Sequence, residues 1–385
     1  MTTKAVTTKE KPEEIGLAVV GCGVVGRIRA TLASHHPGVG WLGVCDIDEG
    51  LAKQLAEDVG ADFYTTDHEE LLARPEVTAT IIATDAANHF RPTMAAVEQG
   101  HDMLVEKPLA VKASESLEVY QAIRESGVDA VLGYTQRFRR RFLTIKERLR
   151  TGQLGEVEAV TTRALLNRMM PFANVPRDDP NVRRNWTPMV ISGTHAVDIS
   201  LWFMEGKEPV EVYARSNDKV LGEIGVIDST FALVTMDDGT LWSMNVSCAM
   251  PEVWPGAVYG LDVAILGTKG AITIDDTHRD LVVASNKPLG TAYRPGGYEG
   301  VPRHVEFLTS FPPGDEYGGQ LWGPMRDETN AWLGRVHSGL ETPHTPAAEG
   351  HRNLVLTMAM DLSAERGVPV KLPVNLDEFD RPQDL

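Results

Sequence analysis

Short apolar runs alternate with stretches of helical periodicity over roughly the first third of the chain. Continuous apolar runs of this length predict buried strands, here Ile15–Val20, Gly40–Cys45, Thr78–Ala83, Asp102–Val105 and Ala130–Gly133. The periodic stretches predict helices over Gly26–Ser34, Leu51–Val59, Phe90–Gln99 and Ser114–Ser126. Strands that alternate with helices indicate βαβ units, so we predict an α/β Rossmann domain with a doubly wound parallel sheet.

The pattern changes beyond residue 137, where apolar and polar residues alternate as in half-buried strands. The predicted strands are Val157–Leu166, Val210–Arg215, Ser229–Met236, Thr240–Ala249, Leu261–Leu266, Ala271–Ile274 and Leu281–Ala284. Asp237-Asp238-Gly239 and Thr268-Lys269-Gly270 predict tight hairpin turns. Helices are predicted over Leu143–Arg150, Met325–His337 and Pro346–Arg366. We therefore predict a C-terminal α+β domain with a large, mostly antiparallel, open-faced sheet.

These patterns divide the chain into three parts. We expect a disordered tail over 1–14, which is rich in Thr, Lys and Glu, a dinucleotide-binding domain over 15–137, and a substrate and oligomerisation domain over 138–385. The segment Met169–Trp186 contains several prolines and is predicted to be a long loop. Loops of that length in compact domains are often functional.

Charge and cysteine content narrow the classes of function. The formal net charge is −17 and the pI is about 5.1, so phosphate backbones and anionic membranes repel the chain. We expect no nucleic-acid partner, and no apolar run is long enough to span a membrane. Three cysteines without a CxxC pair favour a reducing compartment and suggest no metal site. The prediction is a cytoplasmic protein with a small-molecule substrate.

The first motif that carries chemistry is Gly21-Cys22-Gly23-Val24-Val25-Gly26, which follows a predicted strand and opens a predicted helix. In that context a Gly-x-Gly-x-x-Gly sequence binds a dinucleotide. Gly21 permits the tight turn, Gly23 lets the backbone approach a pyrophosphate, and Gly26 allows close helix–strand packing.

An acidic residue, Asp46, ends the second predicted strand twenty residues after the glycine motif. A carboxylate at that place accepts hydrogen bonds from the ribose hydroxyls and repels a 2′-phosphate. This predicts a preference for NAD over NADP rather than an absolute barrier to NADP. The alternative is an ordinary surface aspartate.

Glu106-Lys107-Pro108 directly follows the predicted strand Asp102–Val105. It therefore lies at the carboxyl edge of the sheet, where doubly wound folds bind ligands. Desolvation and a cofactor charge would lower the pKa of Lys107 and suit it to acid–base work. The alternative is a solvated lysine at a strand end.

Gly193-Thr194-His195-Ala196-Val197-Asp198 predicts a helix with His195 and Asp198 on one face. His195 can then exchange a proton with a substrate hydroxyl. The alternative is a structural histidine held by the aspartate. A metal site is a poorer interpretation, because no further ligands cluster nearby.

In this order the motifs resemble the glucose–fructose oxidoreductase, inositol dehydrogenase and rhizopine catabolism (Gfo/Idh/MocA) family. The residues that carry the resemblance are Gly21 to Gly26, Asp46, Ile81-Ile82-Ala83-Thr84 with His89, Glu106-Lys107-Pro108, Gly133 to Phe138, and Gly193 to Asp198. The resemblance implies hydride transfer between nicotinamide and a secondary alcohol or ketone of a sugar, cyclitol, glycoside or related ring. It also implies a site between the two domains, and dimers or tetramers that form through the open sheet face.

Roles follow from the resemblance residue by residue. Lys107 and His195 are the implied catalytic residues. The implied cofactor-binding residues are Gly21, Gly23, Val24, Val25, Gly26, Asp46, Ile47, Thr84, His89, Glu106 and Lys107. The implied substrate-binding residues are Lys107, Arg137, Trp186, Ile191, Thr194, His195 and Asp198.

The chain departs from the family pattern in its substrate region. Ile191 stands where the family usually has an aspartate four residues before the histidine, and an isoleucine cannot hydrogen-bond a hydroxyl. Asp85-Ala86 and Thr135-Gln136 also differ from the usual residues. We interpret this as a divergent pocket on an intact redox centre. We expect a substrate with an aromatic or acidic portion. The apolar wall for it would come from Met169, Met170, Phe172, Trp186 and Trp254, and the basic patch from Arg163, Arg168, Arg183 and Arg184. The alternative is that the apolar residues belong to the core and that the arginines are solvated.

Two other functions remain open at this stage. One is an enzyme that keeps NAD bound and uses transient oxidation to cleave a bond. The other is a non-catalytic NAD-binding redox sensor, which the loss of the aspartate favours and the retention of Lys107 and His195 opposes.

Overall fold

A computed structural model describes residues 14–168, 187–251, 260–276, 281–284, 305–308 and 314–380. The described chain forms two compact units. The first comprises the described parts of Met1–Phe138 and Glu316–His351, and the second those of Arg139–Asp315 and Arg352–Leu385. The predicted tail and the predicted loop over 169–186 lie outside the described residues, apart from Glu14.

The first unit contains the predicted parallel sheet. Its strands are β1 (Ile15–Val20), β2 (Val39–Cys45), β3 (Phe63–Thr65), β4 (Ala79–Ile82), β5 (Asp102–Val105), β6 (Ala130–Leu132) and the short β17 (Thr345–Pro346). They lie in the order β17-β6-β5-β4-β1-β2-β3, and every strand pair is parallel except β17 with β6. The doubly wound prediction is confirmed, because the strand order reverses between β1 and β4.

Helices connect these strands. They are α1 (Val24–Ser34), α2 (Glu49–Val59), α3 (His68–Leu72), α4 (Phe90–Glu98) and α5 (Ala113–Ser126), with 3-10 turns at Ala86–Asn88 and Thr135–Phe138. The later helix α8 (Pro324–Ser338) also belongs to this unit. Its residues Trp332, Leu333 and Val336 are buried in the same apolar cluster as Ile15 and Leu17.

The second unit contains a seven-stranded sheet. Its strands are β7 (Val157–Asn167), β8 (Pro209–Asn217), β9 (Ser229–Met236), β10 (Leu241–Met250), β11 (Gly260–Gly267), β12 (Gly270–Ile274) and β18 (Val370–Lys371). The order is β12-β11-β7-β10-β9-β8-β18, and only β7 and β10 pair in parallel. Both predicted hairpins are present, β9–β10 and β11–β12.

The remaining elements are shorter or flank this sheet. The helices are α6 (Arg140–Arg150), α7 (Thr194–Phe203), α9 (Ala347–Arg366) and α10 (Asp377–Asp380), with a π-helical turn at Met189–Gly193 and a 3-10 turn at Gly222–Ile224. Two ribbons pair β13 (Leu281–Ala284) with β14 (Val305–Leu308), and β15 (Asp315–Tyr317) with β16 (Gln320–Trp322).

The two faces of the second sheet differ in exposure. One face is buried, and its residues, such as Val234 and Trp242, join a cluster that includes residues of α6 and α7. The opposite face presents large apolar side chains to solvent in this chain, namely Tyr213, Phe231, Leu233, Leu241 and Leu266. The predicted open-faced sheet is therefore confirmed.

None of the described helices is both long enough and apolar enough to cross a membrane.

Candidate active site

The glycine turn between β1 and α1 has the shape that the motif predicts. Gly21 has φ of +101°, and a Cβ there would lie 2.4 Å from the carbonyl oxygen of Ala83. A Cβ on Gly26 would lie 1.8 Å from the carbonyl oxygen of Gly21. Among the described residues, apart from Gly23 itself, its chain neighbours and the adjoining helix backbone, no atom lies within 4 Å of a Cβ built on Gly23, so open space adjoins the turn at that residue. Side chains at Gly21 and Gly26 would therefore disrupt the turn, whereas the space beside Gly23 can admit a phosphate.

The N-terminus of α1 is suited to bind an anion. Gly23 is the N-cap residue, no side chain caps the helix, and no acidic residue stands in its first turn. The first N–H groups of a helix have no partner within the helix and favour negative charge. The turn and the helix end together therefore fit the pyrophosphate of a dinucleotide.

Asp46 lies just beyond β2 and beside this turn. Its Oδ2 accepts a hydrogen bond from the backbone N–H of Cys22 at 2.7 Å, and its Oδ1 accepts one from Asp48 N–H at 3.0 Å. A carboxylate has about four acceptor positions, so each oxygen keeps a position for a ribose hydroxyl. The next residue, Ile47, is 92% exposed, so its side chain is an apolar surface on which the adenine ring of a dinucleotide can pack.

Thr84 and His89 follow β4, at the same edge of the sheet as the glycine turn. The His89 ring is buried between two carbonyl oxygens, with Nδ1 at 2.6 Å from Pro108 and Nε2 at 3.2 Å from Thr84. Burial lowers the pKa of His89. His89 was predicted to contact the cofactor; the structure shows its ring bracing the chain after β4 against the chain after β5.

Glu106 and Lys107 directly follow β5, and the Lys107–Pro108 peptide is cis. The guanidinium of Arg29, on α1, donates to Glu106 Oε1 from Nε at 3.1 Å and from Nη2 at 2.7 Å. Lys107 itself is half-buried. Burial lowers the pKa of Lys107 below its ordinary value, and the neighbouring Glu106 carboxylate opposes that shift.

In the second unit, His195 is the second residue of α7 and is half-buried. The π-helical turn Met189–Gly193 leads directly into α7. π-Helical turns are rare and are frequent at functional sites. Thr194 is buried and Ile191, inside the turn, is half-buried.

Asp198 was predicted to bind substrate, and the structure places it in the interior. It is fully buried, and its Oδ1 accepts a hydrogen bond from Asn353 Nδ2 at 2.9 Å. The described contact therefore ties α7 to α9.

Arg137 was also predicted to bind substrate. In the structure it is 2% exposed, and its Nη2 forms an ion pair with Glu349 at 2.6 Å. The Arg137 guanidinium therefore already bonds a carboxylate of its own unit.

Most of the predicted pocket wall lies outside the described residues, namely Met169, Met170, Phe172, Arg183, Arg184, Trp186 and Trp254. Of the remaining arginines, Arg163 donates from Nε to Asp262 at 2.9 Å on the exposed sheet face, and Arg168 is half-buried. Within the described ranges there is no group of three or more His, Cys, Asp or Glu residues able to hold a metal ion.

Sequence reasoning missed two residues at this site, Arg29 and Glu328. Arg29 Nη2 also forms an ion pair with Glu328 Oε2 at 2.6 Å, although the two residues are 299 positions apart. An arginine on a buried helix face is an unusual signal in a sequence and marks Arg29 as a residue that needs a partner. Nothing in the sequence identifies that partner.

The fold and the glycine turn define a Rossmann-type dinucleotide-dependent oxidoreductase. Residues 15–134 match the family model described as oxidoreductase family, NAD-binding Rossmann fold, and residues 142–273 match the Gfo/Idh/MocA C-terminal domain. The chain therefore belongs to the Gfo/Idh/MocA family, as the sequence motifs predicted.

Several relatives align along most of their length. Inositol 2-dehydrogenase 2 of Saccharopolyspora erythraea is 27% identical over 368 residues, which are 93% of this chain and 96% of the relative. The NAD-dependent scyllo-inositol 2-dehydrogenase of Bacillus subtilis is 25% identical over 286 residues, which are 71% of this chain and 78% of the relative.

Among solved structures, scyllo-inositol dehydrogenase from Lactobacillus casei with bound NAD(H) and scyllo-inositol has a TM-score of 0.76. It is 18% identical and covers 94% of this chain and 100% of its own. This likeness shows the same fold. The family match and the relatives together establish an NAD-dependent oxidoreductase that acts on CH–OH groups.

Proposed function

We propose that the protein oxidises a secondary alcohol on a cyclitol, sugar or glycoside ring to the ketone. The observation that carries this proposal is Lys107, half-buried at the carboxyl edge of the NAD-binding sheet with a lowered pKa. The names of the relatives, inositol 2-dehydrogenases, support a polyhydroxylated ring as the substrate class.

In this proposal the alcohol loses a hydride from carbon and a proton from oxygen. NAD supplies the hydride acceptor when bound. Lys107, in its neutral form, accepts the hydroxyl proton, and the lowered pKa raises the fraction of neutral amine near neutral pH. A general base of this kind contributes roughly 10²- to 10⁴-fold to the rate.

His195 is the second proton-handling residue of the proposal. Its position near the start of α7, directly after the π-helical turn, fixes the backbone that carries the ring. The ring relays onward the single proton that Lys107 has taken from the substrate hydroxyl. Thr194 and Ile191 are proposed to line the substrate side of the same helix end. The proposed contributions of Arg137, Trp186 and Asp198 to substrate binding stay predictions.

Ile191 sets the proposed substrate preference. Its side chain gives a ring hydroxyl no hydrogen-bond partner, and an unpartnered buried hydroxyl costs about 1–3 kcal/mol. We therefore expect a ring that bears an apolar or blocked position, as in a glycoside or ether, to react better than the unmodified cyclitol.

The test is NADH formation, followed spectroscopically, with purified protein, NAD and a panel of cyclitols, sugars, glycosides and hydroxy acids. Lys107→Ala is compared with Lys112→Ala, because Lys112 is an exposed lysine that pairs with Glu115. The proposal expects turnover with one ring class, a loss of at least ~100-fold in Lys107→Ala, and little change in Lys112→Ala.

Other results would redirect the proposal. Turnover without net NADH release would indicate transient oxidation followed by bond cleavage. NAD binding without turnover of any compound would indicate a sensor. Turnover of hydroxy acids alone would overturn the proposed ring substrate.

Two further expectations belong to this proposal. We propose that the chain forms homodimers or homotetramers through the exposed face of the second sheet, whose apolar residues were described above. The cytoplasmic location expected from charge and cysteine usage stays a prediction.

A further inference from the structure

We propose that Arg29 and Glu328 are positioning residues for Lys107, and that they act by clamping the carboxylate of Glu106. This inference rests on the function proposed above only in giving Lys107 its role. The geometry of the clamp lies entirely within the first unit.

Arg29 is the centre of the clamp. It stands on α1, its side chain is completely buried, and it donates to three different residues. Two bonds reach Glu106 Oε1, one reaches Glu328 Oε2 at 2.6 Å, and one runs from Nη1 to Thr329 Oγ1 at 2.7 Å. The planar fork of a guanidinium fixes the directions of these bonds, so the orientation of α1 determines where the Glu106 carboxylate lies.

The space around Glu106 reinforces this position. A Cβ built on Gly133, just after β6, would lie 2.8 Å from Glu106 Oε2. The carboxylate therefore fits against the bare backbone of Gly133, where any side chain would displace it. Glu106 is held between α1 on one side and the end of β6 on the other.

The residue on the other side of Lys107 is also held. The carbonyl oxygen of Pro108 accepts a hydrogen bond from His89 Nδ1 at 2.6 Å. Lys107 thus stands between two residues that are each bonded to another element of the unit. A backbone fixed on both sides limits the positions that the amine can reach, and catalytic geometry is sensitive to shifts of about 1 Å.

Glu328 is the second carboxylate that Arg29 bonds in the clamp. It is fully buried on α8, and its Oε2 accepts from both Arg29 and Thr135 Oγ1, the latter at 2.8 Å. Within the part of the chain that the structure describes, its Oε1 is buried and has no hydrogen-bond partner. Burial raises the pKa of Glu328 to about 7, and the Glu106 charge adds to that shift while Arg29 opposes it.

The charged groups that face Glu328 are Arg29 on α1 and Glu106 after β5. The ring of His344 also lies against this residue, with Nε2 3.1 Å from the Glu328 carbonyl oxygen. Burial holds the pKa of His344 well below its ordinary value, so that ring is neutral. Above pH 7 the cluster of Arg29, Glu106 and ionised Glu328 carries one net negative charge.

The Glu106 carboxylate raises the pKa of Lys107, so we expect a change in the pairing of Glu106 with Arg29 to reach the lysine. A negative charge nearby favours the protonated amine and raises the pKa of a lysine. In Glu328→Gln, Arg29 pairs with Glu106 alone and offsets its charge more fully, so the pKa of Lys107 should fall. A residue with a purely structural role would leave this pKa unchanged.

The experiment measures the acetylation rate of Lys107 against pH, read by peptide mass spectrometry on the folded protein with NAD present. Glu328→Gln is compared with wild type and with Asp129→Asn. Asp129 is a matched control, because it is bonded to Arg335 of the same helix α8 but precedes β6, at the opposite edge of the sheet. We expect the Lys107 profile to move to lower pH in Glu328→Gln and to stay in place in Asp129→Asn.

A second variant tests the geometry separately from the charge. Arg29→Lys keeps the positive charge but loses the planar guanidinium, so it cannot hold the carboxylates of both Glu106 and Glu328. We expect kcat to fall at least ~10-fold, since misplacement of a catalytic group is costly, with the Lys107 profile close to that of wild type. Arg335→Lys, the control at the buried Asp129 pair, should keep its kcat.

The outcomes separate this inference from the proposed function. An unchanged Lys107 profile in folded Glu328→Gln overturns the charge coupling, and an unchanged kcat in Arg29→Lys overturns the clamp. If no ring substrate reacts with the wild type, the proposed function fails, but the acetylation profiles still decide whether Glu328 is coupled to Lys107. Circular dichroism of each variant identifies those that do not fold, and the remaining variant then decides.

Discussion

The carboxylate of Asp46 is bonded to the backbone N–H of Cys22, at 2.7 Å between Oδ2 and N. This bond links the end of β2 to the middle of the glycine turn. The residue expected to select the cofactor is therefore fixed to the loop expected to hold its phosphates. A change at Asp46 should alter both cofactor preference and the order of the turn.

The first prediction concerns Asp46→Ala. Removal of the negative charge and of the ribose acceptors should weaken NAD binding by about 1–3 kcal/mol, and it should favour NADP relative to NAD. The measurement is the dissociation constant for each cofactor by calorimetry. Asp67→Ala, which removes the N-cap of α3, should cost stability without changing the preference. An unchanged NAD/NADP ratio in Asp46→Ala would contradict the role of this carboxylate.

The second prediction concerns His195→Gln. Glutamine keeps hydrogen-bonding atoms but cannot take up a proton, so kcat should fall by roughly 10²-fold or more while NAD affinity changes little. The measurement is steady-state kinetics over a range of pH, with His337→Gln, an exposed histidine at the end of α8, as the control. Full activity of His195→Gln would remove this residue from the proposed mechanism.

The third prediction concerns stability and pH at Asp361, on α9. Its Oδ2 accepts a hydrogen bond from Thr187, and burial raises its pKa to about 7. Because the folded pKa lies above the ordinary value of 3.8, the folded state binds the proton more tightly. The stabilisation is therefore complete at low pH and is lost as the pH rises toward 7.

Asp361→Asn should lack this dependence. Between pH 5 and 8 the free energy of unfolding of wild type should fall relative to that of the variant by about 1–3 kcal/mol. Urea denaturation at several pH values measures the difference. The exposed Asp377→Asn should track wild type, and parallel curves for wild type and Asp361→Asn would contradict the raised pKa.

The fourth prediction concerns the exposed face of the second sheet. Phe231 and Leu233 are 57% and 48% exposed in this chain, and apolar patches of this kind mark interfaces. If the proposed oligomer uses this face, Phe231→Lys should reduce the mass in solution to that of a smaller assembly or a monomer. Light scattering after gel filtration measures it, with Leu340→Lys on the first unit as control. A monomeric wild-type protein would contradict the proposal.

Much of the fold follows from short-range patterns. Ile15–Val20, Asp102–Val105 and Ser229–Met236 are strands with the predicted bounds, because strong apolar runs or strict alternation specify buried backbone. The elements that were not predicted, such as β3 and α3, have three and five residues. Segments that short contain too few positions to establish a period, so tertiary contacts decide their structure.

The candidate site was only partly predictable. The glycine turn and Glu106-Lys107 could be predicted because each depends on the strand that immediately precedes it. Asp198 is buried, and its Oδ1 accepts a hydrogen bond from Asn353 Nδ2; its predicted contact with substrate stays a prediction. A helical period shows that His195 and Asp198 are neighbours, but it does not specify which element covers each one. The pairing of Arg29 with Glu328 is beyond any local pattern for the same reason.

The first unit has a consequence for protein synthesis. Its sheet and core include β17 and α8, which are translated only after the whole of 139–315. A nascent chain that has passed residue 138 already holds every predicted NAD-binding residue, but Arg29 is still without its Glu328 partner and the apolar surface that Trp332 covers is open. Such a chain contains the predicted NAD-binding residues, but its domain is incomplete. Its uncovered apolar surface stays accessible to chaperones and proteases until translation is almost finished.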